Sequence, residues 1–264
     1  MADLEQMQDV LDMEVLGAIA QLPRGQHLLK TTPTLAEAYH ATCARLDALQ
    51  HAHCCKLLMV TSALTGEGKS TIAANIAYSL ALSGKRVLLV DANFRRAKLH
   101  QYLHLVNHRG LSDVFSEMWV QRGLELYSQA TDLPTLHVLT AGMLPPNPTA
   151  LLQSPLASQF FEHCKHLAVD YVIIDAPALA EKNEVYVLLS FVQGVVLVID
   201  ASRQSRYEVL RLKRLLRGAR TQILGAVINK HCWPDQKNDG KTAQVAPPTL
   251  AHNFWTRGDP DTPP

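Results

Sequence analysis

The feature that most constrains this chain is a Gly-rich loop between an apolar run and a helix-forming segment. Residues 57–74 read LLMVTSALTGEGKSTIAA. Within them, residues 63–70 fit a pattern of one small residue, four free positions and then Gly-Lys-Ser, which is typical of phosphate-binding loops. Gly66 and Gly68 allow the backbone to curl so that successive N–H groups point at phosphate oxygens. The sequence therefore predicts a nucleoside triphosphate site between a strand and a helix.

Each part of this loop has an expected role. The N-terminal end of the following helix adds positive potential to the phosphate site. We expect the Lys69 ammonium group to reach the β- and γ-phosphates and the Ser70 hydroxyl to bind Mg²⁺. The candidate nucleotide-binding residues of the loop are Thr65, Gly66, Glu67, Gly68, Lys69, Ser70 and Thr71.

Two further apolar runs each end in an aspartate. Residues 86–91 read RVLLVD and residues 171–175 read YVIID. Runs without alternation favour central strands of a parallel sheet that is covered on both faces. Because ligands bind at the carboxyl ends of such strands, we expect Asp91 and Asp175 beside a metal ion and the γ-phosphate. The alternative is that each aspartate only caps the turn or helix that follows its strand.

Strand-like and helix-like segments alternate along most of the chain. The first predicted helix begins at the N-cap Thr34, with Glu37 three positions later as in a capping box. The alternation predicts an α/β fold with a doubly wound, mostly parallel sheet, right-handed crossovers and helices on both faces. The predicted strands are at 56–62, 86–91, 136–140, 171–175, 194–200 and 222–228, and the predicted helices are at 34–49, 70–83, 155–167 and 207–217.

One large domain with two flanking segments is predicted from length and composition. A chain of 264 residues with 47% hydrophobic content can build the core of such a domain. Residues 1–34, with an extended stretch at 15–23, are the predicted N-terminal segment and linker, and residues 35–232 are the predicted nucleotide-binding domain. Residues 233–264 are rich in Pro, Asp, Thr and Lys and are predicted to be a disordered tail.

Composition also argues against several classes of protein. The formal net charge of +1, without a basic block, argues against nucleic acid as a partner. The longest apolar runs are much shorter than the ~20 residues that cross a bilayer, so we expect no transmembrane segment. The acidic, polar start MADLEQMQDV is unlike a signal peptide. Five cysteines without a CxxC pair predict a reduced, cytosolic protein.

A separate cluster of candidate metal ligands precedes the first nucleotide-site strand. It contains His51, His53, Cys54 and Cys55. A run of this kind just before a strand is more often a turn that enters the core. We therefore expect a turn here, with a metal site as the alternative.

Together these motifs resemble those of the bacterial tyrosine kinases, or BY-kinases, whose cytoplasmic domains regulate capsule and exopolysaccharide synthesis. These kinases belong to the deviant-Walker P-loop NTPases, which also include chromosome-partition and septum-placement ATPases. The sequence GEGKS in the loop points to the kinase branch, and the resemblance covers roughly residues 4–231. The matching segments are 61–71 (TSALTGEGKST), 87–96 (VLLVDANFRR), 141–154 (AGMLPPNPTALLQS), 172–178 (VIIDAPA) and 224–230 (LGAVINK).

The resemblance implies a P-loop NTPase with ATP and Mg²⁺ as cofactors, which hydrolyses ATP and transfers a phosphoryl group to tyrosine. Lys69, Asp91 and Asp175 would be its catalytic residues. Ser70, Asp91 and Asp175 would hold Mg²⁺. Asp91 would orient or deprotonate the incoming hydroxyl, and Asn229 would lie beside the nucleotide base.

Asn93 and Arg95, which follow Asp91, bear on how much of the family's function can be expected of this chain. The family has a second aspartate where this chain has Asn93, and an amide brings no negative charge to a metal-bound water. We therefore expect weaker Mg²⁺ binding. Arg95 stands at the family's spacing and is expected either to neutralise charge near the site or to form a surface salt bridge.

Ring assembly and tail phosphorylation in the family depend on two regions that differ here. The assembly helix carries a glutamate and two arginines at a spacing of three, which aligns with Glu37, His40 and Cys43 on one helix face. Both arginines are missing, and Arg45 lies off that face, so a homo-oligomer is an open alternative. The seven tyrosines are at positions 39, 78, 102, 127, 171, 186 and 207, and none lies in the tail.

The N-terminal segment implies a membrane partner. Residues 3–23 (DLEQMQDVLDMEVLGAIAQLP) resemble the stretch that joins the last transmembrane helix of a polysaccharide co-polymerase to its fused kinase domain. This implies a cytoplasmic subunit, peripheral at the inner face of the plasma membrane, that docks on a separate Wzz-like co-polymerase. A chain that has lost its membrane part is the other explanation.

Three other functions are weighed against a kinase. A nucleotide-dependent adaptor of the co-polymerase is favoured by Asn93, by the altered assembly helix and by the tail without tyrosine. A partition or septum-placement ATPase would carry a lysine where this chain has Leu64. An iron–sulfur scaffold of the same superfamily would need a CxxC pair.

Overall fold

The fold is known from a computed structural model, which describes residues 13–21, 33–116, 123–180, 183–203 and 221–231. Eight strands lie within these ranges and form one sheet. The strands are β1 (Val15–Ala20), β2 (Leu57–Ser62), β3 (Val87–Asp91), β4 (Gln129–Ala130), β5 (Leu136–Leu139), β6 (Tyr171–Asp175), β7 (Gly194–Asp200) and β8 (Gln222–His231).

Seven α-helices are present in the same described ranges. They are α1 (Pro33–His53), α2 (Lys69–Leu82), α3 (Leu99–Tyr102), α4 (Leu111–Val114), α5 (Pro148–Leu152), α6 (Pro155–His166) and α7 (Glu184–Leu189). Short 3₁₀ turns at Phe94–Arg96 and Leu124–Leu126 complete the described elements.

The sheet has the strand order β1-β8-β7-β2-β6-β3-β5-β4. All neighbouring strands are parallel except the short pair β4–β5, which is antiparallel. Because parallel neighbours need crossover connections, helices must cover the faces of the sheet. The α/β, mostly parallel sheet that the sequence predicts is confirmed.

Alternate side chains of each central strand enter two separate cores. Leu57 and Met59 of β2 belong to the core that includes Phe160 of α6, whereas Leu58 and Val60 belong to the core that includes residues of α1 and α2. Successive residues of a strand point to opposite faces, so a continuous apolar run fills both cores. This is why the nucleotide-site strands carry no polar alternation.

β1 is an edge strand that pairs in parallel with β8. The sequence predicts an extended stretch here but places it in the segment ahead of the domain. The structure instead adds it to the sheet, and Arg45 of α1 donates a hydrogen bond to the Leu16 carbonyl at 2.9 Å. The folded sheet therefore includes residues on the N-terminal side of the boundary predicted at residue 34.

Helix α1 differs from its prediction at both ends. It begins at Pro33, so Thr34 lies inside the helix and the predicted capping box with Glu37 is wrong. Proline is favoured at the first helical position because its missing N–H has no partner there in any case. The helix continues to His53, and the chain then turns at Cys54, whose φ is 53°.

The expected shared face of the assembly helix is interrupted. Glu37 and His40 are exposed, but Cys43 is buried, with its Sγ 3.7 Å from the Ile76 carbonyl of α2. The three residues keep their spacing of three on one helix, but they do not form one exposed surface, because Cys43 packs into the core.

The predicted tail and the predicted helix at 207–217 lie outside the described residues. Within the described part of the chain, none of the helices has the length and apolar character needed to cross a membrane. The same residues contain no group of three or more histidine, cysteine, aspartate or glutamate side chains arranged for a metal ion.

The PPNP segment is explained by helix capping. Asn147 accepts a hydrogen bond from the Ala150 N–H at 3.1 Å and so caps α5. Ser154 does the same for α6 through the Ala157 N–H at 3.2 Å. Proline follows each cap at the first helical position, where it is well tolerated.

Candidate functional site

The carboxyl ends of three neighbouring strands bring the predicted site together. β6 lies between β2 and β3, and Asp91 at the end of β3 is in register with Asp175 at the end of β6. The end of β2 leads into the Gly-rich loop, which α2 follows from Lys69. Because parallel strands share one carboxyl edge, the loop and both aspartates meet there.

The loop has the backbone conformation that its glycines allow. Gly66 and Gly68 have φ values of 81° and 92°, a region that residues with side chains rarely adopt. A Cβ on Gly68 would also lie 2.1 Å from Nδ2 of Asn229. Glycine is therefore required at position 68 for both conformation and space.

Two polar side chains of the loop lie at the start of α2. Lys69 and Ser70 are buried beside Asp175. The helix N-terminus contributes unpaired N–H groups and positive potential at the same place. A phosphate group bound here would meet an ammonium, a hydroxyl and backbone donors together.

Asp175 is the most informative group of the site. Its side chain is fully buried, and neither carboxylate oxygen has a hydrogen-bond partner of normal geometry among the described residues. A buried carboxylate without partners is strongly disfavoured unless a cation or proton compensates it. Oxygen ligands of this kind, next to the Ser70 hydroxyl, suit Mg²⁺.

Asp91 is held differently. Its Oδ1 accepts a hydrogen bond from the Asn93 N–H at 3.1 Å, and its Oδ2 accepts from Lys98 and Leu99 at 3.1 and 3.2 Å. Asp91 therefore does cap the turn and short helix after β3. Each carboxylate oxygen has two lone pairs, so Oδ1 can still accept one further bond.

Burial raises the pKa of both aspartates above the ordinary value of 3.8. For Asp91, burial and the nearby Asp175 charge raise the pKa, and hydrogen bonds from Leu99, Asn93 and Lys98 oppose the rise. For Asp175, burial is again the largest cause, opposed by the Lys69 ammonium and the Ser70 hydroxyl. Two neighbouring buried carboxylates disfavour full ionisation until a cation binds.

These shifts predict a pH-dependent stability in metal-free protein. The unfolded chain releases both protons near pH 3.8, whereas the folded chain keeps them to higher pH. Ionisation of the two aspartates therefore favours unfolding. As pH rises from about 4 through neutrality, the free energy of unfolding falls by up to about 1.4 kcal/mol per pH unit for each aspartate. The stability of the double variant Asp91→Asn/Asp175→Asn, measured relative to wild type by urea unfolding in EDTA, is expected to increase from pH 5 to pH 8. A constant difference would contradict the assignment.

Arg95, for which the sequence left two roles open, forms an ion pair with Glu184. Its Nε lies 3.1 Å from Oε1 of Glu184, the first residue of α7. Glu184 is only 2% exposed, so this pair is more than a surface contact. It joins the segment after Asp91 to the segment after Asp175. Oε2 of Glu184 has no partner among the described residues.

The remaining predicted residues lie around the loop. Thr65 and Thr71 are half-buried, and the Thr71 side chain hydrogen-bonds to Tyr102 of α3. Asn229 at the end of β8 donates from Nδ2 to the Glu67 carbonyl at 2.8 Å and accepts from the Lys230 N–H at 2.9 Å. Asn229 is thus packed against the loop itself.

Glu67 turns its side chain back into the protein. It is 4% exposed, and its Oε2 accepts a hydrogen bond from the Leu64 N–H at 2.7 Å. Its Oε1 accepts from the Asp200 N–H at 3.3 Å. The Glu67 carboxylate therefore holds the loop together.

Asp200 and Lys230 border the loop but were not among the candidates from sequence. Asp200 ends the apolar run GVVLVID of β7, so the pattern that identified Asp91 and Asp175 was present here too. Lys230 and Glu184 carried no comparable signal, because their positions depend on how β8 and α7 are placed.

Tyr102 also borders the site, where burial and the charges of Asp175 and Asp91 raise its pKa and the Thr71 hydrogen bond opposes the rise.

Comparisons with known proteins agree with this geometry. The family model described as ParA, NUBPL iron-transfer P-loop NTPase, matches residues 53–246, more than half of the chain. Tyrosine-protein kinase YwqD of Bacillus subtilis is 37% identical over 175 residues, which cover 66% of this chain and 72% of YwqD. The putative tyrosine-protein kinase CapB of Staphylococcus aureus is 36% identical over 187 residues, covering 69% and 78% of the two chains.

A solved structure gives the same result for the fold. The crystal structure of the chimerical protein CapA2B2 superposes with a TM-score of 0.75 at 26% identity. The match covers 86% of this chain and 98% of the chimera.

Proposed function

Because the chain belongs to the ParA family of P-loop NTPases and has tyrosine-protein kinases among its relatives, we propose that it is an ATP- and Mg²⁺-dependent phosphotransferase of capsule or exopolysaccharide synthesis. Its acceptor is water or a tyrosine hydroxyl. The observation that carries the proposal is the fully buried Asp175 carboxylate, whose oxygens make no hydrogen bond of normal geometry within the described residues and which lies beside Lys69 and Ser70.

Each residue of the site has one role in this proposal. The backbone N–H groups of residues 66–71 and the Lys69 ammonium bind the phosphates. Ser70 and Asp175 would hold Mg²⁺, which would neutralise phosphate charge during the transfer. Asp91 accepts the hydroxyl proton of the acceptor at its remaining Oδ1 lone pair, because its raised pKa brings it towards neutral pH.

Arg95 has a positioning role. Arg95 belongs to the segment that follows Asp91, and its ion pair with buried Glu184 fixes the position of the guanidinium group. A cation at this point offsets negative charge at the phosphate edge of the sheet.

The partner is a membrane polysaccharide co-polymerase of the Wzz-like type, and the protein acts at the inner face of the plasma membrane through it. The likeness of residues 3–23 to a kinase junction supports this. Homo-oligomers, if they form, do not use the charge pairing of the family's assembly helix, since Cys43 is buried and both arginines are missing.

A nucleotide-dependent adaptor is the second candidate, and Asn93 favours it. In that case ATP would only change the affinity for the co-polymerase. Asn93 brings no negative charge to the metal site, and its backbone N–H is used to hold Asp91.

Incubation with Mg²⁺–ATP distinguishes a phosphotransferase from a nucleotide-dependent adaptor. A phosphotransferase is expected to release phosphate or to form phosphotyrosine on itself or on the co-polymerase's cytoplasmic segment. An adaptor would bind that segment more tightly with ATP and leave the nucleotide intact. Absence of both turnover and ATP-dependent binding would contradict the proposed function.

A further inference from the structure

We propose that Asp200 and Lys230 position the phosphate-binding loop and thereby set its affinity for nucleotide. Both lie outside the loop pattern, at the ends of β7 and β8. They act through the loop and do not touch the reacting groups. The inference rests on the proposed function, since it names what regulates the same site.

The loop has a structural need that these residues meet. When backbone N–H groups turn inward to face phosphate, the carbonyl groups of the same peptides turn outward and need donors. Lys230 Nζ donates to the Gly66 carbonyl at 3.1 Å, and Asn229 Nδ2 donates to the Glu67 carbonyl at 2.8 Å. Two consecutive residues of β8 therefore satisfy two consecutive carbonyls of the loop.

The Lys230 ammonium is fixed by Asp200. Nζ forms a short ion pair with Oδ2 of Asp200, a fully buried carboxylate. The other oxygen of Asp200 accepts hydrogen bonds from the Ser202 N–H at 2.9 Å and the Ser202 hydroxyl at 2.6 Å. Arg203 Nε adds a second cation 3.7 Å from Oδ2. The carboxylate is thus held from three directions, and Lys230 has little freedom to leave the loop.

A second connection runs from Asp200 to the loop. Its backbone N–H donates to Oε1 of Glu67, and Oε2 of Glu67 accepts from the Leu64 N–H. Asp200 therefore fixes both the start of the loop, through Glu67, and its middle, through Lys230. Backbone that is held in place before the ligand arrives loses less conformational freedom on binding.

The backbone at Lys230 shows the same constraint. Its φ of 57° lies in the left-handed region, which is uncommon for a residue with a long side chain. Such conformations persist where surrounding contacts fix them, and they concentrate at functional sites. Here the side-chain contacts to Gly66 and Asp200 supply that fixation.

The test is the affinity of the full chain for ADP, measured by calorimetry without metal. Lys230→Met removes the donor to the Gly66 carbonyl, and we expect ADP binding to weaken at least about tenfold, as for loss of a charged hydrogen bond. The KM for ATP should rise by a similar factor, with a smaller change in kcat, because the loop binds the nucleotide equally in the ground state and in the transition state.

Two variants separate positioning from general destabilisation. Lys85→Met breaks the ion pair that Lys85 makes with Asp47 at 2.9 Å. This pair lies at the amino ends of the strands, away from the loop, so the variant is expected to leave ADP affinity unchanged. Asp200→Asn/Lys230→Met avoids a buried carboxylate that has lost its nearest cation, so its melting temperature should exceed that of Lys230→Met while ADP binding stays weak.

The outcomes are distinct. Near-wild-type ADP affinity in Lys230→Met, recovery of affinity together with melting temperature in the double variant, or an equal loss in Lys85→Met would overturn the inference. Failure of the wild-type chain to bind ADP would instead contradict the proposed function.

Discussion

Replacing Lys69 by alanine is expected to lower ATP turnover by at least about 10²- to 10³-fold, the range seen when one preorganised donor to a developing anion is lost. Lys69 is buried at the start of α2 beside Asp175, so its ammonium group is fixed at the phosphate site. Steady-state phosphate release with Mg²⁺–ATP measures the effect.

The matched control is Lys165→Ala on α6. Lys165 pairs with the exposed Glu162 at 2.6 Å, and surface pairs of this kind contribute little. Turnover by the control should stay within about twofold of wild type. Unchanged turnover in Lys69→Ala would exclude this loop as the catalytic phosphate site.

Replacing Asp175 by asparagine is expected to change activity and stability in opposite directions. Turnover should fall by at least about 10²-fold and need more Mg²⁺, because a metal ligand loses its charge. The metal-free protein should become more stable by about 1–3 kcal/mol at neutral pH, because a buried carboxylate near Asp91 is removed. Turnover over a Mg²⁺ titration and urea unfolding in EDTA measure the two effects.

Asp170→Asn is the control at the other end of the same strand. Asp170 accepts a hydrogen bond from the Arg86 N–H at 2.7 Å, just before β6. Its replacement should lower stability and leave the Mg²⁺ requirement unchanged. A loss of stability in Asp175→Asn, without a change in metal dependence, would show that this carboxylate is structural.

The central strands were predictable because their chemistry is local. The apolar runs that end at Asp91 and Asp175 became β3 and β6, each fully buried, since no other element accommodates such runs beside a Gly-rich loop. The loop's glycines were predictable for the same reason. Only glycine takes the positive φ of positions 66 and 68 readily.

Features set by tertiary contacts were not predictable. β1 is a short strand whose place in the sheet depends on β8, more than 200 residues later. Asp91 caps a turn, whereas the Asp175 oxygens make no hydrogen bond of normal geometry within the described residues, and this distinction depends on the path of the chain after each strand. Glu184 and Lys230 reach the site only through that three-dimensional path.

The most direct test of the central claim is a crystal structure of the protein with Mg²⁺ and a non-hydrolysable ATP analogue. The prediction is that the β- and γ-phosphates lie within hydrogen-bond distance of the backbone N–H groups of residues 66–71 and of Lys69 Nζ, with Mg²⁺ held by Ser70 and Asp175 directly or through water. Phosphates bound elsewhere, or a loop that closes on itself with the analogue present in solution, would contradict the claim.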